Sequence, residues 1–293
     1  MPTEPDGADA RLRVRKTYKL AIGGAFPRSE SGRSYPVFDG SGALLAHAAQ
    51  ASRKDVRDAV VAARKALPGW SKATAYNRGQ VIYRVAEMLD GRRDQFAAEV
   101  SAAEGLETGD ALRIVDETID RVVWYAGWAD KFAQIAGSSN PIAGPYFNFS
   151  IPEPTGVVAI MAPQDSSLLG LVSVLAPVLC TGNTAVVVTS ELRPLPAVSL
   201  GEVLATSDLP GGVANVLTGL TAELGPWLAS HRDVNAIDLT GVSIPERTAL
   251  QRAAADNVKR VFAPGDDDFA AQPGTERLHA FVETKTVWHP IGV

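Results

Sequence analysis

Hydrophobic and polar positions along the chain change period repeatedly, and most regularly in its second half. Between Gly156 and Phe262, short β-branched runs at 156–161, 184–188, 213–217, 236–239 and 258–262 alternate with helical patterns at 168–180, 196–206, 221–231 and 245–255. The run 168–180 is apolar throughout and too long for one strand, so it predicts a buried helix. Strands joined by helical crossovers must lie parallel, because a hairpin needs no such connection. Five strand segments and four helices in this order predict a doubly wound parallel sheet of nucleotide-binding type, an α/β fold. The loop 162–167 then sits at the carboxyl end of the sheet, where open α/β sheets bind ligands.

The first half has a different rhythm. Residues 19–22 with Gly23-Gly24 predict a strand and a tight turn, and 35–38 with 44–46 predict a small hairpin around Asp39-Gly40-Ser41-Gly42. Ser52 is placed to cap a helix through Val56, Ala59, Val60, Ala63 and Leu67, which Pro68-Gly69 is expected to end, with Trp70 packed at its exit. Two longer helical patterns, 75–103 and 108–136, are separated by Glu104-Gly105. Trp124, Tyr125, Trp128 and Phe132 lie at helical spacing in the second, and core packing between the two helices accounts for them better than a cofactor slot. Ser138-Ser139-Asn140-Pro141 breaks the helix, and 146–151 alternates like a half-exposed strand. After Phe262 the composition turns polar, and 263–277 is expected to be a linker. The segment 279–289 alternates as a strand for which no local partner is obvious.

Composition narrows the function. With 46% apolar residues the chain can build a real core, and a formal charge of −5 provides no basic field for nucleic acid. The single cysteine, Cys180, excludes an internal disulfide framework, and His47, His231, His279 and His289 are too scattered to form a metal pair. The N-terminus carries charges without an apolar segment, so neither a signal peptide nor a membrane anchor is expected there, and 1–12 is expected to be disordered. These features lead to the expectation of a cytoplasmic protein that binds neither nucleic acid nor membrane.

Several segments, taken together, resemble the aldehyde dehydrogenase superfamily in its own order. They are Ile22-Gly23-Gly24 with the following hairpin, Glu153-Pro154-Thr155-Gly156-Val157-Val158, Ala176-Pro177 with Thr181-Gly182-Asn183-Thr184, Asn215-Val216-Leu217-Thr218-Gly219, Thr240-Gly241, and the closing Val282-Glu283-Thr284-Lys285-Thr286-Val287-Trp288. The resemblance implies a nucleotide-binding domain over 13–137 and 155–262. It also implies an oligomerisation arm and tail over 138–154 and 278–293. Between them, 263–277 stands in place of the family's catalytic domain, as if by internal deletion.

The departures from the family pattern are informative. The family's cysteine nucleophile and general-base glutamate have no counterpart, so no catalytic residue is expected. Cys180, at the end of an apolar helix, is expected to be packing, since reactive thiolates occupy exposed, electropositive settings. Asp165 falls at the family's oxyanion-binding asparagine, and an ionised carboxylate cannot donate a hydrogen bond to an oxyanion. The family's ribose-binding Lys-Pro-x-Glu corresponds to Val188-Thr189-Ser190-Glu191, of which only Glu191 survives. Glu246 replaces a glycine at the helix terminus that meets the pyrophosphate, putting an anion where another should bind. What remains of the cofactor site is Glu191, Asn215, Gly219, Thr240, Gly241 and Ser243, so no cofactor is expected, NAD(P) being the one such a remnant would hold. The resemblance further implies that the tail adds to a neighbouring subunit's catalytic-domain sheet, which two copies of this chain could not do reciprocally. The expected partner is a full-length aldehyde dehydrogenase, engaged through 140–154 and 278–293, with the chain as a structural or regulatory subunit. The alternative is an NAD(P)-binding subunit of an oxidoreductase whose catalytic cysteine comes from a partner chain.

Overall fold

The computed structural model describes residues 15–265 and 267–292. The disorder expected over 1–12 lies outside the described residues. The chain opens with β1 (Thr17–Tyr18), β2 (Ser34–Phe38) and β3 (Leu44–Ala49), a small sheet in the order β1-β3-β2. Helices α1 (Arg53–Lys72), α2 (Ala75–Asp90), α3 (Arg93–Glu104), α4 (Thr108–Trp128) and α5 (Phe132–Ala136) follow. Strands β4 (Ser138–Asn140) and β5 (Tyr146–Pro154) lead into the α/β half. That half runs β6 (Val157–Met161), α6 (Leu169–Cys180), β7 (Thr184–Val188), α7 (Leu195–Ala205), β8 (Ala214–Leu217), α8 (Thr221–Ser230), β9 (Ala236–Asp238), α9 (Ile244–Ala255) and β10 (Arg260–Phe262). A short α10 (Glu276–Ala280) and a nine-residue β11 (Val282–Pro290) close the chain.

The predicted sheet is present, all parallel, in the order β10-β9-β6-β7-β8. Its strands alternate side chains between two buried faces, which is why they are continuous apolar runs in the sequence. Val158, Ile160, Ala185, Val187 and Val216 pack with α2, α3, α4, α6 and α7 on one face. Val157, Ala159, Met161, Val186, Val188 and Leu217 pack with α1, α8 and α9 on the other. Every residue of α6 is buried, as its unbroken apolar run requires. The chain leaves β6 for β7 and β8, then returns to β9 on the opposite side of β6. The carboxyl ends of β6 and β9 therefore flank the topological switch point, where this architecture opens a crevice.

The structure differs from the sequence expectation in several elements. Helix α1 runs through Pro68-Gly69 to Lys72, because Trp70 is buried and its indole N–H donates to the Leu179 carbonyl, holding the last turn despite the hydrogen bond Pro68 cannot make. At its other end the Ser52 hydroxyl accepts from the Lys54 and Asp55 N–H groups while the Ser52 N–H donates to the Asp55 carboxylate, a complete capping box. The expected helix 75–103 is two helices, broken at Gly91-Arg92, and 108–136 is likewise interrupted after Trp128. The closing strand does have a partner within the chain. β11 pairs antiparallel with β5 along its whole length, from Val282 opposite Pro154 to Pro290 opposite Tyr146, and β4 completes a sheet in the order β11-β5-β4. The Ser150 and Thr286 hydroxyls bond across this pair, Lys285 pairs with Glu153, and Tyr146 meets Trp288 edge to face.

Candidate functional site

A cleft of about 500 Å³ opens at the switch point, between the loop after β6 (Pro163, Gln164, Asp165, Ser166) and the loop after β9 (Thr240 to Ile244). The first loop is fixed to the loop after β7 through Gln164, whose side chain accepts from the Glu191 N–H and donates to the Ala162 carbonyl. The second is fixed by Arg247, whose guanidinium donates to the carbonyls of Val242, Thr240 and Pro264. Asp165 is exposed at the mouth.

Of the six candidate cofactor residues, Thr240, Gly241 and Ser243 line this cleft, whereas Glu191, Asn215 and Gly219 lie on the β7 and β8 side of it. Gly241 is held against the first loop: its N–H donates to the Met161 carbonyl, and a Cβ there would overlap the Ala162 carbonyl oxygen. Thr240 is turned inward, its N–H and hydroxyl both donating to Asp238. The Ser243 hydroxyl donates to Glu246 at 2.6 Å, so the start of α9 already carries a carboxylate. Glu191 accepts from the Thr221 N–H at the start of α8. Asn215 is buried, accepting from the Gly23 N–H and donating to the carbonyls of Ala185 and Gly212, which ties the Gly23-Gly24 turn to β8. Gly219 has φ +147° and abuts Ala51, a backbone conformation that favours glycine.

This arrangement fits a dinucleotide poorly. Glu191 takes the Thr221 N–H at the start of α8, and Glu246 puts its charge in the first turn of α9, where it accepts from the Ser243 hydroxyl, so a carboxylate stands at each helix N-terminus a phosphate would use. One feature on the Glu191 side points the other way. The hydroxyls of Tyr35 and Thr221 are buried without hydrogen-bond partners among the described residues, and Glu191 acts electrostatically on the first while accepting from the backbone of the second. Burial and the Glu191 charge push the Tyr35 phenol well above its ordinary value. Sequence reasoning missed this pair, because a strand tyrosine and a helix-start threonine carry no local signal of what they face.

Cys180 is enclosed. Its thiol donates to the Tyr125 carbonyl, and burial pushes its pKa up to about 12, which keeps it protonated at neutral pH. The aromatic row on α4 and α5 packs in the core, with Tyr125 and Phe132 buried and Trp124 and Trp128 against them.

The segment 263–277 is held down by two arginines the sequence did not single out. Arg277 donates to Asp238 at 2.8 Å, to Asp267 at 2.6 Å and to the Thr240 hydroxyl, and its guanidinium stacks on Phe262. Asp238, at the carboxyl end of β9, is fully buried; burial pushes its carboxyl up while Arg277 and Thr240 oppose the shift. Arg121 of α4 donates to the carbonyls of Phe269 and Ala271 and to the Ser173 hydroxyl. A lone acid inside the apolar strand 236–239 was the one signal available for this network. Among the described residues no cluster of three metal-ligating side chains occurs, and no helix is long and apolar enough to cross a membrane.

A five-stranded parallel sheet covered on both faces, with a crevice between its switch-point strands, defines a nucleotide-binding class of α/β protein. Residues 27–264 match the model of the aldehyde dehydrogenase family, and this chain belongs to that family. It is 34% identical over 247 residues to the mitochondrial aldehyde dehydrogenase family 2 member B4 of Arabidopsis thaliana, covering 83% of this chain and 45% of that protein. It is 32% identical over 278 residues to human retinal dehydrogenase 2, covering 89% and 53%. Among solved structures, an NAD+ complex of aldehyde dehydrogenase from Bacillus cereus superposes with a TM-score of 0.80 at 27% identity, covering 85% of this chain and 50% of that one. The HpcC of Thermus thermophilus gives 0.80 at 29% identity, covering 85% and 48%. The chain thus spans about half the length of the relatives it matches.

Proposed function

We propose that this chain is a non-catalytic member of the aldehyde dehydrogenase family that assembles with a full-length member as a structural or regulatory subunit. The observation that carries the reading is the outer edge of β11. In the order β11-β5-β4, β11 has no strand on its far side among the described residues, and all nine of its residues are exposed or half-buried. Long open edges are sites for strand addition. Beside this edge, Tyr146, Phe147, Ile151 and Trp288 leave apolar surface exposed, as at association sites. The buried Cys180 thiol, Asp165 at the oxyanion position and the acids at both helix termini agree with a role that needs no chemistry and only weak NAD(P) binding, if any.

Co-expression with a full-length aldehyde dehydrogenase tests this. The reading expects a mixed assembly on a sizing column that is lost when 278–293 is deleted. A chain that elutes alone, with or without the deletion, contradicts it.

The unpartnered Tyr35 and Thr221 hydroxyls beside Glu191 favour one second reading, a subunit that still holds NAD(P) while a partner chain supplies the cysteine. Calorimetry separates the two: micromolar NAD(P) affinity that is lost in Glu191→Ala supports the second reading and contradicts the loss of cofactor binding in the first.

A further inference from the structure

A separate cavity of about 150 Å³ lies between α4, α6 and the segment 267–277, away from the Pro163–Ile244 cleft except where Asp267 and Phe269 border both. Its walls carry Arg121, Tyr125, Ser173 and Arg277. Both arginines are more than nine-tenths buried, at 8% and 9% exposure, but their surroundings differ. Arg277 is neutralised by Asp238 and Asp267. Arg121 makes no ion pair among the described residues. Its three hydrogen bonds go to two carbonyls and a hydroxyl, leaving two of the five guanidinium N–H donors without an acceptor among the described residues. Burial lowers the guanidinium's pKa, and Glu117 and Asp268 act on it without pairing with it, so a bound anion would supply the direct charged acceptor it lacks.

The remaining groups suit an anion of small size. Tyr125 lines the cavity, and its hydroxyl makes no hydrogen bond to the described residues; Arg121 and Arg277 both act to stabilise charge near it, while burial keeps the phenol protonated with a pKa raised to about 12. It is therefore a free donor at neutral pH. Of the acids nearby, Asp267 is paired with Arg277, Asp268 accepts from the Ala270 N–H while also acting on Arg121, and Glu276 is exposed. We infer that this cavity binds a small monocarboxylate, with Arg121 supplying the charge and Tyr125 a hydrogen bond. A volume equal to about five water molecules admits a ligand of three or four carbons.

Propionate is the probe, titrated calorimetrically into the full chain, with propionamide as its neutral isostere. Propionate binds with a Kd of about 1 mM, in keeping with a ligand of this size, and propionamide does not bind. Tyr125→Phe, which keeps the packing, weakens binding about three- to tenfold through the lost hydrogen bond. Arg121→Lys, which keeps the charge but not the planar fork, weakens it as well, and Tyr125→Phe decides the matter if Arg121→Lys does not fold. Absence of propionate binding, equal binding of propionamide, or undiminished affinity in Tyr125→Phe overturns the inference.

Discussion

At the scale of single residues, charge and space decide what the carboxyl end of the sheet can do. Asp238 is buried and takes donors from Arg277 and from both the N–H and hydroxyl of Thr240. Removing the cation strands a buried carboxylate, so Arg277→Ala should destabilise the chain by about 3–5 kcal/mol, measured as a fall in the denaturant midpoint. Gly241→Ala should be nearly as damaging, because the new methyl meets the Ala162 carbonyl in a loop held by Arg247 and Gln164, and neither wall yields cheaply. Cys180 offers a chemical test. With a pKa of about 12 its thiolate is scarce at pH 8, so alkylation of the folded chain should run about a thousandfold slower than in denaturant. Rapid alkylation of the native protein would refute its enclosure. Cys180 and Glu246 were legible in the sequence because their setting is local, an apolar helix and a helix start. The Arg277–Asp238 pair was not, because its members are 39 residues apart and belong to a strand end and a polar tail.

At the scale of elements, legibility followed burial. Most residues of the five parallel strands are apolar on both faces, so their runs stood out, and the helical crossovers between them make them parallel. The break at Gly91 was hidden, since α2 and α3 both bury one face and the apolar period passes almost unchanged across it. The pairing of β5 with β11 was hidden for another reason. Each strand alternates, but more than a hundred residues lie between them, and neither has a turn to announce the other. Asn183 joins that pair to the main sheet. Fully buried, it accepts from the Gly156 N–H at the head of β6 and donates to the Phe281 carbonyl just before β11. Asn183→Ala leaves the Gly156 N–H unpaired and removes one of the two donors to the Phe281 carbonyl, which keeps the Thr155 N–H, so it should cost about 1–3 kcal/mol, with hydrogen exchange accelerating first in β11 and β5. Uniform acceleration across the chain would show instead that the arm and tail do not open separately.

At the scale of the whole molecule, half the length of a typical relative folds around a complete doubly wound core. The tail is seated on the chain's own arm, and the segment before it is clamped by Arg121 and Arg277. Beside the cleft at the switch point, the edge of β11 and an apolar surface next to it are left open. We propose that this edge is occupied by a full-length aldehyde dehydrogenase. Native mass spectrometry of the protein purified from its own cells tests that most directly. The account predicts a complex containing both this chain and a full-length aldehyde dehydrogenase; a monomer, or an assembly of this chain alone, would contradict it.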